Sequence, residues 1–380
     1  VLTAETAILL DDFSQCPAGA VRIGDRVMTA DESRQLQSQP VVGLRSASAD
    51  CYHAEFSEQN RRKERKTYVV AASPETEILS LYDPGSREMS GRTPSFNAFV
   101  AGPRSAQFRG VLHGGLYDDA SMPSDSRDLL LGMLLGDGYY APSSQSGVYL
   151  SCYDPTLIDD TREYLHGLGL VARSTAARPE LYRLVPFGRS EGRYYAFASN
   201  DPALAMLRDL GVERKLAHEK VIPEVGYSWS NASVARLLSG LLVTDGSIFS
   251  PCDRSHGAVF VSFASTSERM VHQIAELLKT RFGVHDCRFV SHSGERNNAL
   301  HTLRVMSAYS VRRLLRTIPL FGVKKLRAAQ LMRSWTTKKE RLYGCLKRGP
   351  VVHRGSEECV SIQIPAESVV LGCGLIARVD

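Results

Sequence analysis

Long apolar runs are missing from this chain of 380 residues. The longest, around residues 129–135, falls far short of the ~20 residues that a membrane helix needs, which excludes a helical membrane protein. The start lacks a basic stretch followed by an apolar one, so no secretory signal is expected, and Val1 in place of Met predicts a chain that was excised or trimmed. Cysteine pairs are missing too. The 8 cysteines are scattered, with no Cys-x-x-Cys, and the 10 histidines show neither zinc-finger nor H-x-x-x-H spacing. Reduced, mostly buried thiols in a reducing compartment are expected instead. Tryptophan is scarce, and Trp229 and Trp335 read as packing anchors at domain edges.

The composition is that of an ordinary globular protein, 43% hydrophobic and 23% charged. At ~150 residues per domain the length predicts two to three domains. The net charge of +5 is unevenly spread: residues 251–340 hold roughly 16 Lys/Arg against about 6 Asp/Glu, so the remainder is slightly acidic. A basic segment inside a neutral chain points to a polyanionic partner.

The run LLLGMLLGDG at 129–138 returns as LLSGLLVTDG at 237–246, about 108 residues later. Each reads as an apolar helix closing on Asp-Gly. After the first copy the chain is strand-like at 148–151, helical over 155–166, strand-like at 182–186 and helical over 202–210. After the second come strand-like 259–263, a helix over 267–282, strands near 288–290 and 303–306, and a helix over 308–318. The pattern predicts two αββαββα units related by a pseudo-two-fold axis. Gly132 and Gly136 share a helical face, as do Gly240 and Thr244, and small residues at that spacing let two backbones approach. The two helices are therefore expected to pack together.

Asp137 and Asp245 then converge at adjacent helix C-termini, where two carboxylates meet two negative dipole ends. A divalent cation between them, with a phosphate as third partner, relieves the repulsion and supplies metal-assisted phosphodiester hydrolysis. The plainer alternative is a capping turn in which Gly takes a positive φ and Asp is merely solvated. Lys220-Val221-Ile222-Pro223 lies in front of the second helix, and Lys324-Lys325-Leu326-Arg327 comes after the last helix of the second unit. Each stands just beyond a helix that closes its unit, so the symmetry sends one lysine to each carboxylate. There an ammonium stabilises charge on phosphate or polarises an attacking water; a lysine that only complements a helix dipole is the alternative.

At these residues the chain resembles the LAGLIDADG homing endonucleases in their two-motif, single-chain form, over residues 125–333. The resemblance implies Asp137 and Asp245 as catalytic and metal-binding carboxylates, Gly136 and Thr244 as further ligands of Mg2+ or Mn2+, and Lys220 and Lys325 as the active-site lysines. It further implies two four-stranded sheets saddling double-stranded DNA, with a long specific target site bound by a monomer. The expected DNA-contacting set is Arg61, Arg62, Lys63, Arg65 and Lys66 in the flank, with Arg288, Arg304, Lys324 and Arg327 in the basic segment. Arg312, Arg313 and Arg316 are candidates as well, with a solvated helix face as the alternative.

The flanks resemble an intein. Residues 2–28, with Thr6, Ile8 and Gly24-Asp25-Arg26-Val27, are similar to its first block and 68–81 to its second, while 360–364 and 368–380 are similar to its closing blocks. Read from the residues alone, the same segments are short alternating runs broken by Gly, Pro and Asp, which is β material whose two ends must pair across the insertion. The expected architecture is therefore α+β: a pseudo-two-fold LAGLIDADG endonuclease over 120–335, inserted in an all-β Hint-like splicing domain of 1–110 and 340–380. The departures bear on chemistry. Val1 stands where splicing needs a Cys or Ser nucleophile, Thr76 where the resemblance places an activating histidine, and Val379 and Asp380 where it places His and a cyclising Asn. Splicing is expected to be lost and DNA cleavage kept, in an intracellular setting, nuclear in a eukaryote. The alternatives are a DNA-binding protein that no longer cuts and an intein that still splices.

Overall fold

The computed structural model describes residues 1–58, 67–82, 94–98, 100, 108–115, 122–140, 148–176, 178–186, 202–212, 215–250, 259–292, 299–334 and 345–379. The basic run 61–66, Trp335 and Asp380 lie outside them. The chain divides into two compact units: Val1–Tyr117 with Thr280–Asp286 and Lys339–Asp380, and Asp118–Lys279 with Cys287–Lys338. No helix among the described residues is long and apolar enough to cross a membrane.

The first unit is built almost wholly from strands. Its N-terminal part holds β1 (Leu2–Thr3), β2 (Ala7–Leu9), β3 (Gln15–Pro17), β4 (Arg26–Ala30), β5 (Leu36–Pro40), β6 (Gly43–Glu58), β7 (Thr67–Ala72), β8 (Glu77–Tyr82), β9 (Ser95–Ala98) and β10 (Phe108–Val111). Nine strands of this unit form one sheet, and β2–β3 and β4–β5 are separate antiparallel pairs. The sheet is completed from the far end of the sequence, where Leu2 pairs with Val360 and Gly43–Glu58 pairs along Cys345–Gln363. Leu2, Ile8, Val27, Phe56, Ile78, Val360 and Leu375 contribute to its core. Burial of these apolar side chains, each contributing about 1.5–3 kcal/mol, is what joins the two ends.

The second unit begins with α1 (Asp128–Asp137), followed by β11 (Gly138–Tyr140), β12 (Val148–Ser151), α2 (Pro155–Asp160), α3 (Arg162–Gly167), β13 (Leu170–Ser174), β14 (Leu181–Pro186) and α4 (Pro202–Asp209). The second half runs α5 (Asn231–Asp245), β15 (Gly246–Phe249), β16 (Phe260–Ser265), α6 (Glu268–Phe282), β17 (Cys287–His292), β18 (Leu300–Val305), α7 (Ala308–Thr317) and α8 (Gly322–Ser334). The remaining strands, β19 (Cys345–Gln363), β20 (Ser368–Val370) and β21 (Ile376–Arg378), return to the first unit. The second unit holds two four-stranded antiparallel sheets of matching order, β11-β12-β14-β13 and β15-β16-β18-β17. In β16 the residues Val261, Phe263 and Ser265 are buried while Phe260, Ser262 and Ala264 are half-exposed, the alternation of a sheet with one covered face. Helix α1 is apolar all round because Leu129–Leu135 is buried throughout.

Two expectations from the sequence need correction. The helix expected over 155–166 is broken: the Thr161 hydroxyl donates back to the Leu157 carbonyl at 2.8 Å, and α2 gives way there to α3. Such back-bonding competes with the regular ladder and bends helices. Lys324–Arg327 does not trail the last helix but lies within a further one, α8, which starts on Gly322 at φ +62°. Cys51, Cys152, Cys359 and Cys373 are buried thiols outside any disulfide, and Cys16 and Cys287 are half-buried. Trp229 is buried.

Candidate active site

Helices α1 and α5 pack at their glycines. A Cβ on Gly132 would run into the Leu237 carbonyl and reach within 3.0 Å of Gly240 Cα; one on Gly240 would lie 2.6 Å from the Met133 nitrogen. These approaches are closer than any side chain permits, so glycine is required by contact rather than by conformation. At the next turn Gly136 faces Thr244, whose hydroxyl turns back onto the Gly240 carbonyl at 2.9 Å. The helices end together at Asp137 and Asp245, with the two carboxyls hydrogen-bonded to one another.

The residues after these carboxyls do not form the left-handed caps that Gly-Asp-Gly suggests. Gly138 (φ −70°) and Gly246 (φ −83°) are extended and lead straight into β11 and β15. A Cβ at either would press on the last helical turn, 2.7 Å from Leu134 Cα and 2.8 Å from Leu242 Cα. Two lysines also take carbonyls at these ends: those of Leu134 and Leu242 already accept from the Gly138 and Gly246 amides, while the last ones have no partner within the helix. Lys220 Nζ donates to the carbonyls of Leu134, Gly136 and Gly138 at 3.1, 2.9 and 3.0 Å. Lys324 Nζ donates to those of Leu242, Val243 and Thr244 at 3.0, 2.8 and 2.7 Å. An ammonium has three hydrogens, and each lysine spends all of them on the end of the helix that begins its own half. The positive charge also offsets the dipole ends that the two carboxyls burden.

The structure places Lys324 and Lys325 otherwise than expected. Lys324, expected on DNA, is at the helix end; Lys325, expected at the site, is exposed, because neighbours on a helix point about 100° apart. Arg327 is also exposed.

Burial governs the electrostatics. Asp245 is pushed up to about 7, first by burial and then by the charge of Asp137, with Lys220 and Lys324 pulling the other way. Asp137 is raised for the same first reason, against the pull of Lys324 and Lys220. Burial likewise holds Lys220 and Lys324 below the ordinary lysine value, opposed by the two carboxyls. An acid raised in the folded state stabilises the fold fully below its unfolded value near 4, and that contribution is lost as pH rises through about 7. In EDTA the stability of the fold should therefore fall by an amount on the order of 2 kcal/mol between pH 5.5 and 7.5, and the melting temperature with it. Differential scanning fluorimetry checks this, and Asp245→Asn should flatten the slope.

The donors fit a hard cation: two carboxyls that share a proton, with the Gly136 and Thr244 carbonyls adjoining, all of them oxygen. Among the described residues no cluster of three or more His, Cys, Asp and Glu is placed for a metal elsewhere.

Arg288 and Arg304 stand directly opposite on β17 and β18, with Ser262 of β16 next in the row. They occupy the face opposite the buried Leu303 and Val305. The first sheet repeats the row with Arg173 opposite Arg183 and then Tyr149. These two arginines escaped the sequence reading; the signal was there in their position on paired strands, but pairing is invisible without register. Like charges facing across strands are unfavourable unless an anion lies over them.

In the first unit, Val1 and Thr76 meet. The Thr76 hydroxyl donates to the Val1 carbonyl at 2.6 Å, the Ser73 amide donates to the same carbonyl at 3.2 Å, and the Val1 amino group reaches Thr76 Oγ1 at 3.1 Å. Val379 is tied through its amide to the Glu367 carbonyl.

Residues 232–319, from α5 through α7, match a LAGLIDADG-like domain. This stretch is thus similar to a domain of a family of DNA-binding nucleases. It is 28% identical over 246 residues to Protein RecA of Mycobacterium bovis and of two Mycobacterium tuberculosis strains. That match covers 57% of this chain and 29% of those proteins, so the chain spans under a third of their length.

Proposed function

We propose that the chain is a site-specific double-stranded DNA endonuclease, acting as a monomer through two active halves, within an intein-like Hint domain that has lost splicing. The observation that carries this reading is the meeting of Asp137 and Asp245 at two helix ends, each end held by a lysine of its own half. The matching sheet orders on either side support two repeats, one for each DNA strand. The Arg173–Arg183 and Arg288–Arg304 rows are suited to phosphates or to guanine edges in the major groove.

Mg2+ or Mn2+, when bound, supplies water activation and charge stabilisation at the scissile phosphate. Asp137 and Asp245, with the Gly136 and Thr244 carbonyls, are the residues that would hold it. Asp245 must release its proton to do so, which ties metal affinity to pH around 7. Lys220 and Lys324 keep the helix ends in place and set a positive field beside the phosphate.

Incubating the protein with a plasmid library of random inserts, in Mg2+ and in EDTA, tests the reading. Linear product confined to particular inserts and to the Mg2+ arm is expected; binding of particular inserts with no cut in Mg2+ would leave a DNA-binding protein.

The flanking unit supports the second half of the proposal through the Val1 contact, since Thr76 lies against the residue where splicing would begin. Neither group supplies the chemistry: Val1 has no nucleophile and a threonine hydroxyl is no imidazole. Placed between two foreign protein segments, the chain should remain in the precursor. Ligated flanks detected by mass spectrometry would overturn the loss of splicing.

A further inference from the structure

The two halves of the second unit can be aligned by their first strand pairs, in which Leu150 faces Gly138 and Phe263 faces Gly246. Counting onward from these partners sets Asp154 against Ser267 and Asp160 against Gln273. Asp154 caps α2 by accepting from the Thr156 amide at 3.1 Å, and Ser267 caps α6 by accepting from the Met270 amide at 3.2 Å. Both caps have a second partner, and in each case it belongs to the opposite half. Asp154 Oδ2 accepts from the Val323 amide at 2.7 Å, one residue before Lys324, while Ser267 Oγ donates to the carbonyl of Lys220 itself at 2.6 Å.

The second pair repeats the crossing. Asp160 Oδ2 accepts from the Gly322 amide at 2.9 Å. Gln273 takes both backbone groups of Ile222, accepting from its amide at 2.8 Å and donating to its carbonyl at 2.9 Å. The local fit is tight. A Cβ on Gly322 would strike Asp154 Oδ2 and lie 3.1 Å from Leu157 Cβ, so the bracket closes only on a glycine, and one at φ +62°. A lysine stem is long and flexible, and three hydrogen bonds to carbonyls orient its ammonium only if the backbone it springs from is fixed.

We propose that Asp154 and Asp160 of the first half and Ser267 and Gln273 of the second are positioning residues, each pair holding the lysine of the opposite half at its helix end. Chemistry differs between the brackets, carboxylates on helix N-terminal amides at one and neutral groups at the other, while the placement is the same. The brackets explain why two lysines on dissimilar segments, one in an extended stretch and one in α8, arrive at equivalent positions. Their consequence for cleavage rests on the endonuclease reading; their consequence for lysine placement does not.

The test reads both. In protein labelled with 13C at the lysine ε-carbon, without DNA or metal, Asp160→Ala should shift or broaden the Lys324 resonance and leave that of Lys220 in place, and Gln273→Ala should do the reverse. Asp160→Asn, which keeps an oxygen acceptor, should restore the wild-type spectrum. Asp160→Ser replaces the alanine variant should that one fail to fold. Unmoved lysines, or equal disturbance of both by either variant, would overturn the brackets. In cleavage, Asp160→Ala should slow one strand about tenfold, so that nicked circles accumulate, and should add nothing in a Lys324→Ala background. Gln273→Ala should still slow cleavage in that background. Additive loss with Lys324→Ala would also overturn the proposal, whereas wild-type protein that cuts no DNA would sink the endonuclease reading and leave the spectra to decide the brackets.

Discussion

Asp137→Asn and Asp245→Asn should each lower double-strand cleavage by about 10²–10³-fold or more, the loss expected when a group that stabilises charge at the reacting phosphate is removed. An amide of the same shape keeps the hydrogen bond between the helix ends but not the charge that a cation requires. Affinity for the target should stay within about tenfold, since phosphate contacts from Lys and Arg dominate it. The same variants should melt higher in EDTA at pH 7.5. Asp245→Asn removes the buried acid whose pKa is raised, and Asp137→Asn removes a charge that raises it. Relief of about 1 kcal/mol corresponds to about 2–4 °C in a unit of this size. Plasmid linearisation, filter binding and melting on the same preparations separate the three effects. Cleavage at the wild-type rate by either variant would remove the carboxyl pair from the chemistry.

The second large effect lies about one and a half turns up the same helices. Gly132→Val or Gly240→Val should abolish folding of the second unit or lower its melting temperature by more than about 10 °C, because the added atoms meet backbone rather than a side chain that can turn away. No partner substitution relieves a clash with the Leu237 carbonyl or the Met133 nitrogen. Gly136→Ala differs in kind. Its Cβ would meet the Thr244 side chain, 2.8 Å from Thr244 Cβ, so Thr244→Gly should rescue it. Circular dichroism melts of the single and double variants check both statements, and a folded Gly132→Val protein of wild-type stability would show that α1 and α5 do not pack as described.

The helix pair was legible because its signal is local: an apolar run, small residues at helical spacing and Asp-Gly at the end, stated twice. Strands β12, β14, β16, β17 and β18 and helices α4, α6 and α7 were legible for the same reason; β11, β13 and β15 were not, nor was the break at Thr161, where a buried hydroxyl competes with the ladder. The choice between Lys324 and Lys325 was not, because adjacent residues of one charge differ only in the face they occupy, and the helix that sets the face had not been foreseen. The arginine rows needed strand register, and the second partners of the Asp154 and Ser267 caps lie in the opposite half, where no local pattern points to them. In the flanks, Val360–Ile362 alternates clearly, but most of β6 and β19 is polar and irregular, so a strand of 16 residues facing one of 19 left little trace in sequence.

That long pair has a kinetic consequence. Ser48 and Ser356 hydrogen-bond across it although they are 308 positions apart, and every contact between β6 and β19 spans a comparable stretch of chain. Closing a loop of that length costs entropy before any contact repays it, and high contact order slows folding. During synthesis the strands that complete the first sheet emerge only after the whole of residues 118–338. The intervening unit, with its core complete, can fold while the first sheet waits for β19. Once folded, it shortens the effective distance between the waiting strands from a flexible loop to the span of a compact body. The order of assembly thus runs from the inside of the sequence outward, with the earliest-made strands among the last to settle.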